Sequence, residues 1–287
     1  MHLFARMPQG HLYVEHPHWP AGASIEITVL DVKSGGAIHL RTATGDWLID
    51  AGPAREYERV VRPYLRSRGV NRLEGLALTH GDAAHIGGAA GVLLDFHPRQ
   101  VIDTAAQDRS PTHRKLIANL ARDKINRRLC AANDELVLAT DVTARVLFPP
   151  PDFEGDTADD QALVLQIIMA GKSRALLISD SGTGTEDFLL KHYPNLRSEI
   201  LLKGQHHSGE SGSIAFLDGV QPNAIIATSR DFPENERIKE DWAENVRRRG
   251  IRLFRQDETG AVTITIFSDR CELKGFLNSE TFRSASR

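Results

Sequence analysis

Within ten residues, Thr79-His80-Gly81-Asp82-Ala83-Ala84-His85-Ile86-Gly87-Gly88 gathers two imidazoles and a carboxylate at the end of an apolar run. Imidazole nitrogens offer lone pairs and carboxylates offer charged oxygens, so His80, Asp82 and His85 can close around one or two divalent cations. The glycines that follow permit a tight turn and a helix that starts close to the site. Two later apolar runs end at Asp180 and shortly before His206 and His207.

The chain of 287 residues is 41% hydrophobic, enough to bury a large core. Its 35 Lys and Arg against 38 Asp and Glu give a net charge of −3, which neither announces nor excludes contact with nucleic acid. The only two cysteines, Cys130 and Cys271, are far apart, which excludes a disulfide framework and a thiolate zinc cluster. The N-terminal His2, His11, His16 and His18 have no regular spacing, and the segment lacks the apolar core of a secretory signal. No stretch approaches the ~20 apolar residues that span a bilayer, so the expectation is a cytoplasmic chain without a membrane span.

The elements that must position these groups follow from periodicity. Ile25, Ile27 and Val29 alternate with polar residues as a strand; a turn at Lys33-Ser34-Gly35-Gly36 leads to a second strand, and Trp47-Leu48-Ile49 to a third. A helix is expected from Ala54 to Arg68, kinked or broken by Pro63. A buried strand over Leu73 to Leu78 delivers His80, and a helix over Ile86 to Phe96 follows. Val101-Ile102-Asp103 reads as a strand, and Ser110-Pro111 caps a helix reaching toward Arg128.

The second half repeats the alternation. Strands over Leu136 to Ala139 and Val142 to Phe148 precede a hairpin of Leu163 to Ala170 with Arg174 to Ser179. A helix over Thr185 to His192, a strand at Ile200 to Leu202, a short helix at Phe216 and Leu217, and a strand at Ala224 to Ala227 come next. A helix over Glu236 to Arg249 then leads into a closing hairpin of Ile251 to Phe254 with Ala261 to Phe267. Two halves without a linker predict one α/β domain over 24–268, in which two mixed sheets pack face to face with helices outside. Residues 1–23 read as a lead-in and 269–287 as a C-terminal tail of weak periodicity whose last residues are expected to be mobile.

The ordered motifs resemble the metallo-β-lactamase superfamily, and most closely the soluble hydrolase domain of ComEC-type DNA-uptake proteins. Leu30-Asp31-Val32 is similar to the family's opening strand, Leu48-Ile49-Asp50-Ala51-Gly52 to its second landmark, and Leu78 to Gly88 to its metal motif. Asp160-Gln161-Ala162-Leu163-Val164-Leu165 resembles its Asn-Asp-x-Ser-Leu-Val-Leu strand, Leu177-Ile178-Ser179-Asp180 its Leu-Thr-Gly-Asp, and Leu202-Lys203-Gly204-Gln205-His206-His207-Ser208 its Lys-x-x-His-His.

The resemblance implies a four-layer αββα sandwich with a metal site at the sheet edges. It implies His80 and Asp82 on one metal, with Asp159 or Asp160 as an added ligand. His85 and His206 would hold a second metal, Asp180 would bridge, and Asp50 would support the motif from behind. Asp50 has the alternative reading of a cap for the helix after Gly52. The cation would be manganese or zinc, one ion or two, and would supply the attacking hydroxide. His207 or Lys203 would stabilise charge in the reaction.

The departures bear on the second metal. The family carries an aspartate ligand where this chain has Ala84. Lys33-Ser34-Gly35-Gly36 replaces Gly-Gln-Gly-Asp, and Phe232 to Arg237 has no histidine where Gly-His-Pro-His-Pro is expected. Three outcomes fit: one metal held by His85, Asp180 and His206, one held around His80 and Asp82, or an empty site in a binding or scaffolding module.

His39, His97, His113 and His192 read as structural histidines. Ser208 and Ser211 lie near His207, but no Gly-x-Ser-x-Gly elbow supports a serine hydrolase. The basic run Arg109, Arg114, Lys115, Arg122, Lys124, Arg127 and Arg128 reads as a solvated face rather than a track for single-stranded bases, because it lacks aromatic residues. The expected function is metal-dependent hydrolysis of a phosphodiester, with nucleic acid as the expected partner and a protein partner left open. Alternatives are an ester, amide or thioester substrate, or an impaired relative that only binds.

Overall fold

Alternating side chains give every central strand one face for the opposite sheet and one for a helix layer. In the computed structural model, which describes residues 19–106, 110–228, 234 and 237–285, these faces assemble two sheets. The first contains β1 (Ala23–Val29), β2 (Ile38–Thr42), β3 (Gly45–Ile49), β4 (Gly75–Ala77), β5 (Val101–Thr104) and β6 (Arg127–Cys130). The second contains β7 (Glu135–Ala139), β8 (Val142–Phe148), β9 (Val164–Met169), β10 (Lys172–Leu177), β11 (Ile200–Lys203), β12 (Ala224–Ala227) and β13 (Arg252–Arg255). The chain then returns to the first sheet as β14 (Val262–Phe267), β15 (Arg270–Gly275) and β16 (Thr281–Ala285). The strand orders are β16-β15-β14-β1-β2-β3-β4-β5-β6 and β13-β12-β11-β10-β9-β8-β7.

Ile25, Ile27, Val29, Trp47 and Ile49 of the first sheet meet Val146, Leu165, Ile167, Leu177 and Ile226 of the second in one apolar layer. Leu48, Leu76 and Val101 face the other way, under α1 (Ala54–Glu56), α2 (Arg62–Ser67), α3 (Ala83–Ile86), α4 (Ala89–Phe96) and α5 (Pro111–Arg122). Leu176, Leu201 and Ile225 lie under α6 (Thr183–His192), α7 (Ile214–Val220) and α8 (Glu240–Arg248). This is the four-layer αββα sandwich that the motifs implied.

The expected helix over Ala54 to Arg68 crosses Pro63 by a π turn at Tyr57–Val61, in which Arg62 N–H reaches back five residues to Tyr57 O. The helix expected to approach Arg128 ends at Arg122. Its basic run then divides, and Arg127 in β6 pairs with buried Asp103.

Two expectations are corrected. Ile251 to Phe254 and Ala261 to Phe267 do not form a hairpin. β13 pairs parallel with β12, whereas β14 pairs antiparallel with β1 in the other sheet. The crossing is made by α9 (Gln256–Thr259), where Gln256 donates to Val29 O and Leu30 O. Two adjacent amphipathic strands look the same whether they share a sheet or face each other across a core.

The expected tail over 269–287 instead supplies β15 and β16. Cys271 and Leu273 are buried in the layer between the sheets, while Arg270, Glu272 and Lys274 alternate with them on the other face. Only two apolar residues in the strand are enough when one face is covered. The N-terminal histidines lie outside the described residues.

His39 has the structural role read from the sequence. It is buried between Tyr64 Oη at 3.2 Å and Asp46 Oδ1 at 2.8 Å, and Arg41 Nε also donates to Asp46. Burial holds the imidazole below its ordinary value of 6.5 despite Asp46. Burial pushes the Asp46 carboxyl up, but hydrogen bonds from His39 and Arg41 outweigh it and leave it below 3.8.

Both shifts mean that the unfolded chain binds more protons, so stability falls with acidification. The His39 part is lost as pH drops through 6.5, and the Asp46 part as pH drops below 3.8. Urea midpoints for His39→Gln are expected to fall less steeply than wild type as pH drops below 6.5 and to keep the lower step. A wild-type-like profile would refute this.

Candidate metal centre

The loops after β3, β4, β10 and β11, together with the turn before β9, meet at one edge of the sandwich. Parallel pairing of β3 with β4 and of β10 with β11 sends four strand ends the same way. The antiparallel β9 begins at that edge, which adds Asp159 and Asp160.

Asp50 follows β3 with a left-handed backbone, φ 58°. Both carboxylate oxygens are used: Thr79 N–H donates to Oδ1 at 2.8 Å, and Thr79 Oγ1 and His85 Nδ1 reach Oδ2 at 2.7 Å each. Asp50 therefore orients His85 and belongs to none of the groups close enough to share an ion. It is neither a first-line ligand nor a helix cap, because Pro53 occupies the cap position of α1. A carboxylate behind a ligand histidine fixes the ring and raises its basicity.

His85 presents its other nitrogen to Asp180 Oδ2 at 2.9 Å. Burial opposes protonation of His85, but Asp180 and Asp50 outweigh it and hold the ring protonated well above the ordinary imidazole value. Gly204 makes room for Asp180: a Cβ there would stand 1.7 Å from Asp180 Oδ1. At Gly36 a Cβ would lie 3.1 Å from His85 Nδ1, so the position of the family's missing acid faces this imidazole.

His80 is buried, and its environment selects a tautomer. Thr79 has one hydroxyl proton and donates it to Asp50, so Thr79 Oγ1 accepts from His80 Nδ1–H at 2.9 Å. Nε2 is left as a bare lone pair with no hydrogen-bond partner, 3.6 Å from Asp159 Oδ1. Burial and the charge on His85 hold His80 below its ordinary value, and thus neutral. Two acceptors facing each other in a buried space fit a cation between them.

Among the described residues, three sets of ligand atoms lie within 4.8 Å of one another: His80, His85 and Asp180; His80, Asp82 and Asp159; and Asp159, His206 and His207. Asp82 also caps α3, accepting from Ala84 N–H at 3.0 Å. Asp159, rather than Asp160, joins His80 and Asp82. Asp160 instead accepts from Thr157 and lies 3.2 Å from His206 Nε2. His206 groups with Asp159 and His207 rather than with His85 and Asp180, and its Nδ1 pairs with Ser208 Oγ at 2.7 Å. Half-exposed His207 meets Asp159 Oδ2 through both its backbone N–H and Nδ1.

Lys203, expected to stabilise charge in the reaction, is buried and donates to Gly204 O at 2.7 Å. Burial pushes its ammonium down to about 8, against the opposing influence of Glu186 and Asp180. Sequence reasoning missed Thr79, Gly204 and Gly182, whose missing Cβ leaves room for the His206 ring. Thr79 and Gly204 stand inside the quoted motifs and Gly182 just after one, but nothing in their residue types showed these roles.

A two-sheet sandwich with histidines and carboxylates converging at one edge is a metallo-β-lactamase arrangement. Residues 37–171 match the model of the Metallo-beta-lactamase superfamily. Its relatives include competence proteins. It is 28% identical over 237 residues to Competence protein ComA of Neisseria gonorrhoeae, covering 82% of this chain and 31% of that one. It is 25% identical over 258 residues to ComE operon protein 3 of Bacillus subtilis (strain 168), covering 83% and 32%.

The chain thus spans about a third of the length of these relatives. Igni18, a metallo hydrolase from Ignicoccus hospitalis KIN4/I, shares the fold with a TM-score of 0.54 and 11% identity, over 91% of this chain and 100% of that one. The fold and the His/Asp groups together imply a divalent metal. Among the described residues, no helix is long and apolar enough to cross a membrane.

Proposed function

We propose that this chain is a metal-dependent hydrolase of phosphodiester bonds acting on nucleic acid. The observation that carries the reading is the bare, buried Nε2 of His80 opposite Asp159 Oδ1. The resemblance to DNA-uptake hydrolase domains supports the substrate class. His80, Asp82, Asp159, His85 and Asp180 would hold manganese or zinc, a donor set of imidazoles and carboxylates that suits either ion. A cation held by these residues would supply acidified water and charge neutralisation at the phosphate.

The chain's own residues do the rest. Asp50 and Thr79 keep His85 and His80 in the required tautomers. His207, held by Asp159 at the exposed side of the cluster, passes a proton to the leaving oxygen. The unpaired buried thiols of Cys130 and Cys271 suit a cytoplasmic location.

Protein purified without chelator is expected to carry manganese or zinc and to cleave an oligonucleotide when loaded. His80→Ala and Asp180→Asn should lower metal content and abolish cleavage. Metal-loaded wild type that leaves nucleic acid intact would overturn the phosphodiester reading.

A second reading, an impaired module that only binds, is favoured by Ala84. The Gly35 turn rests on this residue, and a Cβ on Gly35 would meet Ala84 O at 2.0 Å. Ala84→Asp is expected to raise the bound metal from one equivalent toward two by atomic absorption. Unchanged metal content would remove position 84 from the ligand set.

A further inference from the structure

The loops after β10 and β11 have two sides. One side carries Asp180, His206 and His207. The other, through Thr183 and Gln205, lines a cavity of about 260 Å³. The metal centre and the cavity therefore share both loops.

Lys203 lies against this cavity with 3% of its surface exposed. Its Nζ stands 5.1 Å from the centre of the Trp242 ring, and Trp242 is itself fixed by donating to Gly212 O at 2.7 Å. An ammonium has three donors, and Gly204 O takes one. The charges of Glu186 and Asp180 act on Lys203 from a distance, but neither carboxylate forms an ion pair with it, and the oxygens of Glu186 accept from the backbone N–H groups of Gly212 and Ser213. A buried cation without a paired anion is costly in a folded chain.

The other polar groups of the cavity agree in sign. Ser211 Oγ is buried without a hydrogen-bond partner, and among the described residues that line the cavity the exposed charged groups are Arg237, Lys239 and Glu210. The space exceeds that of a bare oxyanion, and an aromatic wall and a hydroxyl donor accompany the cations.

We propose that this cavity is a phosphate subsite, which takes a phosphate of the polynucleotide chain neighbouring the one at the metal ligands. Lys203 is then a binding residue, and the site prefers a substrate with phosphates on both sides of the cleaved bond. This assignment rests on the phosphodiester reading, but its test does not require cleavage.

The probes are a short single-stranded oligonucleotide and inorganic phosphate, titrated calorimetrically into the whole chain in chelator. Lys203→Met is expected to weaken oligonucleotide binding about tenfold or more. The rim pair Arg237→Gln with Lys239→Gln should lower the salt slope of binding by about 1 to 2. Metal content should be unchanged in both variants.

Oligonucleotide affinities equal to wild type in both variants would overturn the subsite. If Lys203→Met does not fold, an unchanged salt slope in the exposed rim pair overturns it alone. Inorganic phosphate that depends on Lys203 but is not displaced by the oligonucleotide would assign the cavity to free phosphate and overturn the polynucleotide reading. Weakened binding in a chain that cleaves no nucleic acid keeps the subsite and removes the proposed reaction. Cleavage with unaffected binding does the reverse.

Discussion

Gly204→Ala is expected to abolish tight metal binding while leaving the sandwich folded. Gly204 has no left-handed backbone, so alanine meets no conformational objection at this position. The obstacle is Asp180, whose Oδ1 lies 1.7 Å from the site of the new Cβ, with Ser179 O at 2.9 Å. Something must shift, and the carboxylate is more mobile than the backbone. Moving it breaks the 2.9 Å contact with His85 Nε2 and scatters the ligand set.

Gly184→Ala is the matched control. It lies in α6, nothing stands within 4 Å of its Cβ position, and alanine there should stabilise by about 0.4–1 kcal/mol through the unfolded chain. Metal content and thermal midpoints measured for both variants decide the matter. Wild-type metal affinity in Gly204→Ala would show that Asp180 is not a ligand.

Arg174→Ala should be among the most destabilising single changes in the protein. Arg174 is fully buried on β10 and reaches across to the other sheet, where Nη1 donates to Phe267 O at 2.9 Å and Nη2 to Arg270 O at 3.1 Å. Its Nε lies 3.1 Å from Glu199 Oε1 as an ion pair without hydrogen-bond alignment, and Cys271 Sγ donates to Glu199 Oε2. Truncation leaves a buried carboxylate without its cation and two carbonyls without donors. Breaking such a pair costs about 3–5 kcal/mol.

The midpoint should fall by roughly 6–20 °C at ~2–4 °C per kcal/mol. Replacing both charges, Arg174→Met with Glu199→Leu, should recover much of the loss, since the pair's own desolvation disappears with it. A single-variant midpoint within 2 °C of wild type would refute the account. Burial also pushes the Cys271 thiol up to about 12, so it should resist alkylation until the chain unfolds.

What could be read from the sequence depended on whether one residue's neighbours were local. The alternation of Ile25, Ile27 and Val29 marks an inward face wherever the strand is placed, and strands ending before His80, Asp180 and His206 point to a common edge. The partition of β13 and β14 between sheets was not legible, because it depends on α9 and on Gln256 reaching Val29 and Leu30. β15 was hidden by its own charges, since only Cys271 and Leu273 face the core.

At the site, the motif order named the histidines and both candidate carboxylates before β9. Only the 3₁₀ turn at Asp159–Gln161 decides which carboxylate faces His80. The roles of Asp50 as an orienting group and of Lys203 as a cavity cation depend on partners far away in sequence.

The return of β14 to the first sheet has a consequence during synthesis. β1 pairs on one side with β2, a few residues later, and on the other with β14, at registers such as Thr28 with Thr263. On the ribosome, β1 is made 235 residues before its β14 partner, counted from Thr28 to Thr263, and its second edge stays open over that interval. Such an edge is a template for pairing with another chain, and distant pairings form slowly. Closure of the first sheet therefore waits on β14, and until it is made the β1 edge is the segment most open to pairing with another chain.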